Sequence, residues 1–121
     1  MLGFLCCVLG ACAQTGDIES VSAEEFESVI SRGGVTLVDV RRDDEFRAGH
    51  IPGSVNVDVS RDGFAARVDS ISGAVKTVAV YCRSGKRSMK AAHMLAKRGY
   101  RVVNLRGGWL EWAAEGKPRE R

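Results

Sequence analysis

From about residue 20 onward, the apolar and polar positions alternate between two patterns, one typical of helices and one typical of buried strands. Three runs are rich in β-branched residues and almost continuously apolar, as expected of strands that are covered on both faces. These runs lie at residues 35–40, 77–81 and 101–105. A shorter strand is predicted at residues 55–57, after the Ile51-Pro52-Gly53 turn. The alternation of strands with helical segments predicts an α/β domain whose sheet is largely parallel.

The predicted helices have recognisable starts and ends. Ser22–Glu25 is a capping box that opens a short helix, and Gly33-Gly34 ends it. Residues 88–98 place small and apolar side chains on one face, and the glycine that follows them is typical of a helix end. The other helical signals lie at residues 41–48, at residues 60–71 and after Gly107-Gly108, where Trp109 and Trp112 are expected to pack in the core.

The composition narrows the choice of protein class. A chain of 121 residues is long enough for one compact domain and leaves little room for a second. Its apolar fraction of 45% and charged fraction of 27% are ordinary for a globular protein. The net charge of +3 comes without a Lys- or Arg-rich tract, so we expect no nucleic-acid binding. His50 and His93 are isolated from any group of residues with metal-ligand spacing, so we expect no metal site.

The first twelve residues have the pattern of an export signal. Residues 2–9 are apolar and uncharged, a run too short to span a bilayer but suited to the central part of a signal peptide. The run ends in Leu9-Gly10-Ala11-Cys12, which resembles the lipobox of bacterial lipoproteins, where the peptide is cut before a cysteine that receives lipid. Residues 1–11 are therefore interpreted as a signal peptide and Cys12 as the site of lipid attachment. This predicts an exported protein at the periplasmic face or cell envelope, in contact with the membrane only through that lipid.

The rest of the chain is then divided into a polar tether at residues 12–19, a folded domain at residues 20–116 and a charged tail at residues 117–121, which is expected to be frayed. One feature of the signal is missing, because secretory signals normally begin with basic residues and none precedes Arg32. The alternative is a weakly packed extension over residues 1–16. If the signal is removed and Cys12 carries lipid, Cys82 is the only free thiol, which favours a chemical role over a disulfide.

Cys82 comes directly after the predicted strand at residues 77–81, and a predicted helix follows the loop. Ligands of parallel α/β sheets bind at the carboxyl ends of the strands, where loop amides and helix N-termini favour anions. Arg83, Lys86 and Arg87 add positive charge beside the same thiol. All of these groups stabilise a thiolate, so Cys82 is predicted to be ionised near neutral pH and to act as a nucleophile. A buried structural cysteine is the alternative interpretation.

The other residues of this loop suit the same chemistry. Gly85 permits a tight turn, and Ser84 and Ser88 offer hydroxyl donors. Together with the three basic residues, they are predicted to bind an anionic substrate.

Three ordered motifs resemble those of the single-domain rhodaneses, a family of sulfurtransferases. The active-site loop of that family is similar to Cys82–Ser88, its N-terminal signature to Leu37–Arg41 with Glu45-Phe46 and Gly49–Asn56, and its C-terminal signature to Leu105–Trp109 with Trp112. The resemblance covers roughly residues 18–116. It implies a three-layer α/β domain whose central, mostly parallel five-stranded sheet is flanked by helices.

The resemblance also implies a two-step sulfur transfer. Cys82 takes the outer sulfur of thiosulfate, or of another small anionic donor, and holds it as a persulfide. A thiophilic acceptor such as cyanide or a thiol then removes this sulfur. A protein donor or acceptor is the alternative to these small molecules, and no metal or organic cofactor is needed.

Three residues of the N-terminal motif are given supporting roles. Asp39 and Arg41 are expected to pair with each other at the end of their strand. His50 is expected to hydrogen-bond to backbone rather than to act as a base, because an ionised thiol needs none.

Two rival functions are compatible with the same fold. Cell-cycle dual-specificity phosphatases have a Cys-x5-Arg loop, whereas here four residues separate Cys82 from Arg87. The shorter loop predicts a pocket for sulfur rather than for phosphate. The second rival is a catalytically weak sulfur carrier or binding module, which the retained Cys82 and its basic neighbours disfavour.

Overall fold

The computed structural model describes residues 16–121, in which helices cover both faces of one sheet. The strands are β1 (Ile18–Val21), β2 (Thr36–Asp39), β3 (Val55–Asn56), β4 (Thr77–Tyr81) and β5 (Arg101–Leu105). They lie in the order β1-β5-β4-β2-β3, and each neighbouring pair is parallel. This confirms the expected α/β architecture around a five-stranded parallel sheet.

The helices form the two outer layers. They are α1 (Ala23–Ser31), α2 (Asp43–Ala48), α3 (Phe64–Ser72), α4 (Lys86–Ala96) and α5 (Gly108–Ala114). Successive side chains of a strand point to opposite faces of the sheet, and the two cores follow this alternation along β4. Val80 belongs to the core that α3 and α4 cover, whereas Ala79 belongs to the core that α1 and α5 cover.

Two helices begin at residues other than the predicted ones. Helix α4 begins at Lys86, earlier than the predicted residue 88, and α3 begins at Phe64, later than residue 60. Each follows a glycine with a positive φ, which is 99° at Gly85 and 80° at Gly63. Because glycine adopts this conformation without a steric penalty, each one turns the chain sharply into the helix that follows.

The predicted boundary between the polar tether (residues 12–19) and the folded domain is wrong, because Ile18–Val21 forms β1. This strand pairs with β5, and Ile18 lies opposite Val102 and packs against the core. The sequence pattern missed β1 because it is short and lies at the edge of the sheet, where half of its side chains face solvent. The folded part of the chain therefore begins before residue 20.

The charged tail at residues 117–121, expected to be frayed, packs against the domain. The indole N–H of Trp112 is buried and donates to the Pro118 carbonyl oxygen over 2.7 Å. Glu120 and His50 exchange two backbone hydrogen bonds of 2.9 Å. A buried indole N–H needs an acceptor, and the tail supplies it.

Among residues 16–121, no helix is both long and apolar enough to cross a membrane. The predicted signal peptide and Cys12 lie outside the described residues, so that assignment stays a prediction.

Candidate active site

Cys82 follows β4 directly, at the carboxyl end of the middle strand of the sheet. Its side chain is packed in the core beneath α4, and the residue is 1% exposed. Two backbone amides donate to its sulfur, Gly85 N over 3.1 Å and Ser88 N over 3.3 Å. The loop therefore wraps around one atom, with its donors directed inward.

These donors determine the ionisation of the thiol. Burial raises the pKa of Cys82, but hydrogen bonds from the Ser88 hydroxyl and from the amides of Ser88, Gly85 and Ser84 outweigh it, so the pKa lies below its ordinary value. The Ser88 hydroxyl also lies 3.1 Å from the Gly85 carbonyl oxygen, and its single proton serves one of these acceptors at a time. A thiolate held by amide donors is the nucleophilic form of cysteine.

The three basic residues of the loop do not act alike. Arg83 and Lys86 are exposed. Arg87 instead forms two hydrogen bonds with the Glu45 carboxylate, of 2.8 and 3.0 Å. The expected cluster of three cations around the sulfur is therefore two exposed cations and one whose charge is shared with an acid.

Glu45 is a site residue to which the sequence pattern assigned no role. The Arg87 hydrogen bonds are the main cause that lowers the pKa of Glu45 from 4.5 to about 2, and they outweigh the opposite effect of burial. Glu45 lies in the first turn of α2, and its carboxylate also accepts the Arg42 amide over 3.1 Å. The position of Glu45 beside Phe46 in the N-terminal motif was the one sequence feature that pointed to it. Sequence spacing does not predict its pairing with Arg87, which is 42 residues away.

The outer side of the Cys82 loop is held by the chain that follows β5. The Cys82 carbonyl accepts the Trp109 amide over 2.8 Å, and the Arg83 carbonyl accepts the Leu110 amide over 3.1 Å. Gly85 also packs directly on the Arg106 carbonyl oxygen, where a Cβ would collide. Residues 106–110, which include most of the C-terminal motif, therefore pack against the outer side of the loop and form what we call the back wall of the site.

Asp39 and Arg41 form the predicted ion pair at the end of β2. The Arg41 Nη2 to Asp39 Oδ2 distance is 2.8 Å, and the two side chains are 3% and 0% exposed. The guanidinium also donates to the Gly49 carbonyl over 2.7 Å and lies 5.0 Å from the centre of the Trp109 ring. This pair connects the strand end to the back wall of the Cys82 loop.

His50 makes the backbone contact expected of it. Its Nδ1 lies 2.9 Å from the Phe46 carbonyl oxygen, and its ring stacks on the Phe46 ring with the centres 3.8 Å apart. Trp112 is buried as expected, whereas Trp109 is half-buried beside Arg41.

A parallel sheet with a cysteine-centred amide loop at a central strand end defines an α/β domain of the rhodanese type. The family model for the rhodanese-like domain matches residues 22–115, and the chain belongs to that family. A sulfurtransferase of Allochromatium vinosum is 40% identical over 69% of this chain and 77% of its own length. Thiosulfate sulfurtransferase 18 of Arabidopsis thaliana is 35% identical over 82% of this chain and 87% of its own length.

Solved structures include proteins with a similar fold. The crystal structure of a rhodanese-related protein from Thermoplasma volcanium matches with a TM-score of 0.73 and 29% identity. The match covers 84% of this chain and 97% of that one.

Proposed function

We propose that this protein is a sulfurtransferase that carries sulfane sulfur as a persulfide on Cys82. The observation that carries the proposal is the convergence of the Gly85 and Ser88 amides on one buried sulfur. Fixed donors of this kind stabilise a thiolate, and they also suit the negative charge of a persulfide. Sulfurtransferase names among the relatives support the same reaction class.

Thiosulfate is the proposed donor. The Cys82 thiolate attacks the outer sulfur of thiosulfate, and the bond between the two thiosulfate sulfurs breaks with its electron pair leaving on sulfite. The product is a Cys82 persulfide anion, so charge is conserved. Cyanide or a thiolate then attacks the outer persulfide sulfur, and the Cys82 thiolate leaves and is ready for another cycle.

The exposed cations suit an anionic donor. Arg83 and Lys86 lie on either side of Ser84-Gly85 along the chain, and both are exposed. We expect them to meet the sulfonate of thiosulfate, while Ser84 and Ser88 serve the sulfur. Arg83→Ala and Lys86→Ala should each raise the KM for thiosulfate more than they lower kcat, because the charge acts before as well as during transfer.

One contact favours sulfur over phosphate chemistry. The Arg87 guanidinium uses two of its five N–H donors on the Glu45 carboxylate, which also offsets its positive charge, so less of that charge acts on a phosphoryl dianion. The loop between Cys82 and Arg87 is also one residue shorter than the phosphatase loop. Both features support the sulfurtransferase over the phosphatase of the same fold.

Mass spectrometry after treatment with thiosulfate tests the proposal. The peptide that carries Cys82 should gain one sulfur atom, and cyanide should remove it while thiocyanate forms. Hydrolysis of an aryl phosphate without sulfur uptake would support the phosphatase instead. Absence of both reactions would support a binding module.

We further propose that Cys12 carries lipid and tethers the domain to the cell envelope. The proposal depends on the lipobox-like Leu9–Cys12 segment. Palmitate labelling of the protein expressed from its native locus tests it, with Cys12→Ser as the control that should lose the label. A protein that retains Met1 and takes up no label contradicts the anchor and leaves the enzymatic proposal intact.

A further inference from the structure

Two peptide groups of the Cys82 loop are held in their orientation by hydrogen bonds from the first residues of α5. The Arg83 carbonyl accepts the Leu110 amide, and the Cys82 carbonyl accepts the Trp109 amide. In a trans peptide the C=O and the next N–H point in opposite directions. A carbonyl fixed toward α5 therefore directs the following amide toward the inside of the loop. The Ser84 amide belongs to the same peptide group as the Arg83 carbonyl, and the amide of the next residue, Gly85, donates to the Cys82 sulfur over 3.1 Å.

Gly108 makes this close approach possible. Its φ is 63°, and a Cβ at this position would fall on the Arg83 carbonyl and lie 2.8 Å from the Cys82 carbonyl oxygen. Any side chain at residue 108 would therefore separate α5 from the loop. Gly116, just beyond the other end of the same helix, has a nearly equal φ of 67° but no atom within 4 Å of the corresponding Cβ position.

We propose that the first turn of α5, with Gly108 as its essential position, is a positioning element that keeps the Cys82 loop amides directed at the sulfur. Gly108 faces the carbonyls of Cys82 and Arg83, so it acts through them. The proposal deepens the proposed sulfurtransferase function and rests on it for its biological purpose. Its physical content is the reactivity of the Cys82 thiolate, which can be measured without any sulfur donor.

Gly108→Ala and Gly116→Ala form a matched pair of variants. Alanine at either position must adopt a similar positive φ, but only Gly108→Ala collides with the loop. The full-length variants are alkylated with iodoacetamide across a range of pH, and the tryptic peptide that carries Cys82 is followed by mass spectrometry. For Gly108→Ala we expect the inflection to move up by about one pH unit, so the rate at pH values below the wild-type inflection should fall by up to about tenfold. Gly116→Ala should keep the wild-type profile, although both variants lose thermal stability.

Wild-type profiles in both variants would overturn the proposal, and so would equal shifts in both. If Gly108→Ala does not fold, NMR of the wild-type protein replaces it. The amide resonances of Trp109 and Leu110 should titrate with the Cys82 thiol, whereas that of Gly116 should not. Flat Trp109 and Leu110 resonances through the titration would also overturn it. A wild-type protein that takes no sulfur from thiosulfate contradicts the proposed function, while the alkylation profiles still decide the positioning role.

Discussion

Two neighbouring strands end in loops that use their polar groups in opposite ways. After β2, the side chains of Asp39 and Arg41 pair with each other and are buried. After β4, the donors are backbone amides, and they converge on the Cys82 sulfur. The first loop satisfies its charges internally, whereas the second directs its donors at the sulfur that we propose as the nucleophile. The Glu45–Arg87 ion pair links the helices that follow the two loops.

Removal of the sulfur should have the largest effect on activity. Cys82→Ser replaces the thiolate with a hydroxyl that forms no persulfide, so both the added sulfur and thiocyanate production should be abolished. Mass spectrometry and a colorimetric thiocyanate assay measure the two losses. Cys12→Ser is the control and should retain full transfer. Turnover that persists in Cys82→Ser would refute the mechanism.

Removal of a charge from the β2 loop should instead affect folding. Asp39→Asn leaves the buried Arg41 guanidinium without its counter-charge, and we expect a loss of about 3–5 kcal/mol in the free energy of unfolding. Denaturant unfolding measures it. The matched control is Asp43→Asn, which breaks an exposed pair with Arg47 and should cost less than about 1 kcal/mol. Equal losses in the two variants would mean that the Asp39–Arg41 pair has no special role in stability.

Breaking the link between the two loops should change substrate binding in opposite directions. Arg87→Ala removes a positive charge that interacts with Cys82 and leaves the Glu45 carboxylate unpaired, so the KM for thiosulfate should rise by about tenfold, which corresponds to about 1.4 kcal/mol. Glu45→Gln releases the Arg87 charge, so the KM should fall by a smaller factor. Steady-state kinetics at fixed ionic strength measure both, and a KM that rises in both variants would show that the pair acts through geometry rather than charge.

The smallest expected effect concerns acid stability. The folded-state pKa of Glu45 lies at about 2, below its ordinary value of 4.5. A lowered carboxyl pKa adds stability that is fully present above pH 4.5 and is lost as the pH falls toward 2. Glu45→Gln should therefore unfold at a lower denaturant concentration than wild type at neutral pH, and the difference should shrink on acidification through this window. A difference that is constant from pH 7 to pH 2 would contradict the assignment.

The strands β2, β4 and β5 could be predicted from the sequence because buried parallel strands are continuous apolar runs. The short edge strand β1 could not, because its side chains are only half-buried. The tail at residues 117–121 was expected to be frayed for a similar reason. Its composition is charged, and the feature that holds it is the acceptor it gives to the Trp112 indole.

Local sequence alone predicts that Cys82 is the reactive residue, since a cysteine at a strand end followed by glycine, serine and basic residues is a pattern of near neighbours. The tertiary structure decided which basic residue is already paired, because Glu45 and Arg87 are 42 residues apart and meet only in the folded chain. It also brought α5 against the loop, where the Trp109 and Leu110 amides donate to the carbonyls of Cys82 and Arg83. Hydrogen bonds depend on distance and direction in space, and spacing along a chain fixes these only within a single helix, strand or turn.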